Sequence, residues 1–167
     1  MNGTCIYVLV VYYHEKKATP IVIDLLVSLL LAAPAGFLAA VLITVVELPF
    51  WKRWGMSGVA EWQVNQVLVS KLLKKSNARY SVASHLFHGT ILGGVFRAIL
   101  FYFPSGNEML ILTESLVFSL ILWLITPLAT KSLFENAGGI KITRIGIVSS
   151  LTSHLVYGIA LGLLLQI

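Results

Sequence analysis

The chain has 167 residues, 57% of them hydrophobic and 11% charged, with a formal charge of +5 and a mean hydropathy of +0.88. A soluble domain carries roughly a quarter of its residues as charges, so water is excluded as the solvent for most of this surface, and the length suits one compact unit. The single cysteine, Cys5, excludes an internal disulfide.

The N-terminal stretch CIYVLVVYY, residues 5–13, is apolar but about half the length that a bilayer crossing needs. It is followed by HEKK rather than a small-residue cleavage site, which argues against a cleaved signal peptide. Residues 1–20 read as an external arm lying on the membrane or on a partner, and residues 21–167 as the transmembrane domain. The first span runs from Ile21 to about Val46, with Glu47 at its inner end and Pro34 within it.

A polar connection follows at about 48–79. Trp51 and Trp54 suit the headgroup level. In VAEWQVNQVLVSKLLKK, Val64, Val67, Leu68 and Leu72 recur at helical spacing, while Gln63, Gln66, Lys71, Lys74 and Lys75 are polar. The pattern predicts an amphipathic helix at the inner interface, capped by Ser57, with its lysines toward anionic lipid heads or its apolar stripe on a partner subunit. Three more spans follow, at about Tyr80–Phe103, Met109–Thr130 and Ile145–Ile167. PSG at 104–106 is a tight turn between the second and third, and NAGG at 136–139 breaks the third, near Pro127.

Cation counts orient these spans. Lys52, Arg53, Lys71, Lys74, Lys75 and Arg79 lie between the first and second spans against one acid, Glu61. Lys131, Lys141 and Arg144 lie between the third and fourth, whereas FPSGNEM has no cation. The positive-inside rule puts both basic loops in the cytoplasm and both termini outside, in a cell membrane. This distribution accounts for the lysines without nucleic acid.

Two segments resemble each other, SHLFHGTILGGVFR at 84–97 and SHLVYGIALGLLLQ at 153–166. Both sit on spans running from inside to outside, and Asp24-Leu-Leu-Val-Ser-Leu faintly echoes Glu114-Ser-Leu-Val-Phe-Ser-Leu. The expected fold is therefore all-α, a polytopic four-helix bundle built from two parallel helix-pair repeats, with an interfacial amphipathic helix in the cytoplasmic loop. Within each cassette, His85, Gly89 and Gly93, or His154, Gly158 and Gly162, lie four residues apart and form one stripe. Such glycines let backbones approach closely, and Ala32, Gly36 and Ala40 offer a complementary stripe on the first span.

Intramembrane ionisable groups are functional candidates by default. His85, His88 and His154, joined by Glu47, are candidate ligands for copper or zinc. The opposing reading is that neutral His85 and His154 hydrogen-bond to neighbouring helices; Tyr157 replaces His88 in the second copy, and no H-E-x-x-H or Cys-rich spacing is present. Asp24, Arg97 and Glu114 form a possible outer polar layer, with Arg97 pairing either carboxylate.

The chain has no P-loop, dinucleotide fingerprint or nucleophile elbow. The composition favours a non-catalytic subunit or scaffold of a larger membrane complex, with no cofactor of its own; the alternatives are a small-solute or ion transporter or channel, and a membrane metalloprotein using intramembrane histidines. The Ser-His-x-x-Tyr-Gly-x-x-x-Gly style of helix, seen in the second and fourth spans, resembles small four-helix membrane proteins of bacteria and archaea. Size and topology also resemble accessory subunits of archaeal copper membrane monooxygenases of the ammonia-oxidising type. That resemblance implies a scaffolding role beside other membrane subunits, with copper ligands and substrate belonging to them. No site residue carries over from it.

Overall fold

The computed structural model describes residues 4–74, 78–138 and 143–166, with side chains over 21–55, 57–74, 79–125 and 143–166. Among the described residues the chain forms five α-helices, one 3-10 turn and no strand. They are α1 (Thr4–Trp54), the 3-10 turn Gly55–Gly58, α2 (Ala60–Leu73), α3 (Ala78–Tyr102), α4 (Glu108–Gly138) and α5 (Arg144–Leu164). The arm and the first span belong to one helix of 51 residues that passes through Pro34; the arm's side chains lie outside those described.

Local chemistry sets several boundaries. After the turn at 104–106, the Asn107 side chain accepts from the Leu110 amide at 2.9 Å, satisfying one of the open donors at the start of α4. Thr143 does the same for α5, its extended backbone placing Oγ1 to accept from Gly146 N. α2 differs from the sequence expectation, because Val59 precedes it with no side-chain cap. Ser57 lies in the 3-10 turn and donates instead to Trp54 O, at the end of α1. α2 ends at Lys74, whose φ of 52° is left-handed. α4 runs on through Asn136 and Ala137 to Gly138, so the NAGG break does not fall before Gly138, and Gly139 lies outside the described residues.

The helices pair through their smallest residues. Gly36 of α1 faces Gly93 of α3 so closely that a Cβ built on Gly93 would lie 2.6 Å from Gly36 Cα, and Gly89 meets the Ala40 methyl. α4 and α5 meet in the same manner, with Gly158 against Ser119 and Gly162 against Ser115 and Leu112. Ser115 Oγ also donates to Gly158 O at 2.8 Å, an interhelical hydrogen bond that the close approach permits. α1 additionally contacts α5, and Ala35, Ala39, Ile43, Phe96, Leu100, Tyr157, Ala160 and Leu161 form the buried core between the pairs.

Among the described residues three helices carry stretches long and apolar enough to cross a membrane: Ile21–Trp54, Glu108–Ile125 and Arg144–Leu164. Leu30, Leu31, Val117 and Val148 point outward from them, as lipid-facing side chains do. α3, at 25 residues, is about 37 Å long and therefore has the length of a span. It is not among the three because Arg79, His85, His88 and Arg97 dilute its apolar sequence.

Candidate functional site

The ends of the helix pairs nearest α2 converge on a polar cluster. Glu47, two turns before the end of α1, is fully buried. α2 folds back beside it and presents Glu61, Trp62 and Asn65 inward, all buried. Trp62 Nε1 donates to Glu47 Oε2 at 2.7 Å, fastening α2 to α1. The inner face of this helix is thus partly polar, unlike the Val64–Val67–Leu68–Leu72 stripe expected from spacing; Leu72 is exposed. The physical reason is that α3 supplies polar partners. Asn65 Oδ1 accepts from Ser84 Oγ at 2.8 Å and lies 2.9 Å from His88 Nδ1, while its Nδ2 donates to Glu61 O.

The three candidate histidines have different surroundings. His85 is 6% exposed, with Nε2 3.7 Å from Glu47 Oε2, beyond hydrogen-bond reach. His88 is held by Asn65. His154 Nδ1 lies 2.9 Å from Ser150 O and 3.5 Å from Glu61 Oε1. Because a carbonyl only accepts, the proton of neutral His154 must sit on Nδ1; the same logic puts that of His88 on Nδ1, facing an amide oxygen already accepting from Ser84. Among the described residues no three His, Cys, Asp or Glu side chains group closely enough to hold a metal ion.

Between all five helices, with Ile43 as the α1 contribution, lies a cavity of about 260 Å³. Its polar wall comprises Glu61, Asn65, His85, His88, His154 and Tyr157, and its apolar wall includes Val64, Leu68, Ile91, Leu92 and Leu122. His88 and Ile91 are also exposed, so the cavity reaches the surface of the bundle beside α3. No family model, curated protein or solved structure matches the chain.

Tyr157 proves structurally prominent. Its hydroxyl crosses from α5 to donate to Gly89 O on α3 at 2.7 Å. Glu61, Trp62 and Asn65 were not marked as site residues by the sequence; the usable signal was the i, i+4 spacing of Glu61 and Asn65 beside a tryptophan on a helix start. Asp24, Arg97 and Glu114 do not line the cavity. Arg97 Nε donates to Ser28 Oγ at 2.8 Å, and Glu114 bonds to Ser105 Oγ across the turn that begins α4. Among the described residues no ion pair joins Arg97 to Asp24 or Glu114.

Proposed function

We propose that the chain is a multi-pass protein of the cell membrane in which α1, α3, α4 and α5 all cross, both termini lying outside, and that it binds a small solute in its inner half. The packing of α3 along α1 through Gly36 and Gly93 supports a fourth crossing, as do the cations at the ends of α1 and α2 and the start of α3. The duplicated-pair reading draws support from geometry too. In each pair, glycines four apart (Gly89 and Gly93, or Gly158 and Gly162) face small residues four apart on the preceding long helix, Gly36 and Ala40 or Ser115 and Ser119.

One observation carries the solute-binding reading: Glu61 lies on the cavity wall, 7% exposed, and among the described residues no hydrogen bond reaches either carboxylate oxygen. A buried carboxyl left in this state costs several kilocalories when ionised, unless it takes up a proton or a donor fills the space beside it. An engineered apolar cavity of about 150 Å³ holds benzene, so 260 Å³ accommodates a small organic molecule. Cysteine scanning in a Cys5→Ser background tests this. Leu68→Cys, on the cavity wall, is expected to react with N-ethylmaleimide many times faster than Leu100→Cys in the core, and Ser105→Cys but not Lys74→Cys to react with an impermeant reagent on intact cells. Equal rates at Leu68 and Leu100 would refute the cavity reading, and external labelling at Lys74 the topology.

A second reading, an accessory subunit in a larger membrane complex, draws on the outer end of α3. Phe101 and Tyr102 stack edge to face at 5.5 Å, and Tyr102 and Phe103 are exposed, a surface that suits docking of another helix as well as anchoring in headgroups.

A further inference from the structure

We infer that the solute taken by this cavity is a small organic ammonium, an amine with an apolar body, whose cationic head sits on the Glu61 carboxylate. The inference rests on the solute-binding reading above and follows from a tally of hydrogen-bond donors and acceptors around the cavity.

The wall's donors are engaged within the protein. Tyr157 donates its hydroxyl proton to Gly89 O. Trp62 donates to Glu47, and Ser84 to Asn65. His88 and His154, in the tautomers their partners require, direct Nδ1–H to Asn65 Oδ1 and Ser150 O. Asn65 Nδ2 donates to Glu61 O. Among the described residues of the wall, the uncommitted donors are the second Nδ2 hydrogen of Asn65 and, in one tautomer, Nε2 of His85; the unpartnered hydroxyls of Ser150 and Ser153 do not line the cavity.

The acceptors are left open. Among the described residues both oxygens of Glu61 are buried without a hydrogen-bond partner; Glu47 behind it accepts from Trp62, keeps Oε1 open and lies close enough for the two carboxyls to repel each other. His154 Nδ1 stands 3.5 Å from Glu61 Oε1, but its proton faces Ser150 O. The Nε2 lone pairs of neutral His88 and His154 and the lone pairs of the Tyr157 oxygen add further acceptors. A wall rich in acceptors and poor in donors rejects a carboxylate or phosphate and favours a ligand that brings its own protons. An ammonium brings three donors and one positive charge to a site holding two buried carboxyls, Glu47 and Glu61. Opposite the polar wall, Val64, Leu68, Ile91, Leu92 and Leu122 match an apolar body. A bare cation would leave that half of the cavity without a counterpart.

Three probes sharing one apolar body separate the possibilities: benzylamine, benzyl alcohol and benzoate. Their affinities for the full chain in lipid nanodiscs are measured by calorimetry, together with protection of Leu68→Cys (Cys5→Ser background) against N-ethylmaleimide. Benzylamine is expected to bind at least ten-fold more tightly than benzyl alcohol, benzoate most weakly, and Glu61→Gln to erase the preference while Glu61→Asp keeps it in part. If Glu61→Gln does not fold, the ranking on the wild-type chain still decides. Benzyl alcohol or benzoate protecting Leu68→Cys as well as benzylamine does would overturn the ammonium assignment and leave the solute site standing. No protection by any probe would overturn both. Zinc or copper ions displacing benzylamine at stoichiometric concentration would reassign the carboxyls to a metal.

Discussion

Gly93 and Gly94 are adjacent on α3, yet the same substitution is expected to have opposite effects at the two. A Cβ on Gly93 would lie 2.6 Å from Gly36 Cα and 3.0 Å from Gly36 N, both backbone atoms that cannot rotate away. Ordinary contacts begin at 3.4 Å, so Gly93→Ala forces α1 and α3 apart by about 0.8 Å along this seam. A gap of that order forfeits roughly a quarter to a half of the dispersion energy of each contact it opens, and overpacking in comparable settings costs about 1–3 kcal/mol. In lipid, hydrophobic expulsion does not compensate for lost packing between helices. We expect Gly93→Ala to destabilise by about 2 kcal/mol. A Cβ on Gly94 would meet only Leu29 Cδ2, at 3.9 Å. Gly94→Ala therefore leaves the seam intact and gains up to about 1 kcal/mol from reduced backbone entropy in the unfolded chain. Reversible unfolding in mixed micelles under increasing dodecyl sulfate, followed by tryptophan fluorescence, measures both. If the two variants differ by less than about 0.5 kcal/mol, close approach of α1 and α3 is not what holds them together.

Trp62→Phe removes the hydrogen bond to Glu47 and leaves a fully buried carboxyl with no partner. A loss of about 1–3 kcal/mol is expected, read as a lower melting temperature in detergent, and Glu47→Gln in the same background should recover part of it. For the accessory-subunit reading, extraction in mild detergent followed by native electrophoresis and mass spectrometry is expected to show a reproducible heterologous partner. Migration as a lone monomer or homodimer would count against it.

The helices and their smallest residues were legible because lipid solvation and close approach leave periodic marks: apolar runs of about 20 residues and glycines every four. The cassette's glycines suggest that the second and fourth spans pack through them against each other or the first span; Gly89 and Gly93 do meet the first span, whereas Gly158 and Gly162 meet Ser119 and Ser115 of the third. The faint echo of Asp24 in Glu114 has no counterpart in this register, since Gly36 takes the place of Ser115. The site was half legible. His85, His154 and Glu47 announced themselves as ionisable groups in apolar sequence. Glu61 and Asn65 did not, because amphipathic reasoning assigns polar residues to water, and that inference reverses where a helix packs on a polar interior. Arg97 satisfies itself on Ser28, one turn from Asp24, a choice between neighbours that spacing alone does not resolve.

The Thr143 hydroxyl accepts from Gly146 N and also donates to Ser57 O at 2.8 Å, tying the start of α5 to the turn that launches α2. Ribosomal synthesis makes α2 long before α5. During insertion, then, the helix bearing Glu61 waits without this latch, and the cavity lacks His154 and Tyr157 until the final helix threads into place. An incomplete nascent chain presents no finished pocket to the cell, and completion of the site coincides with completion of the bundle.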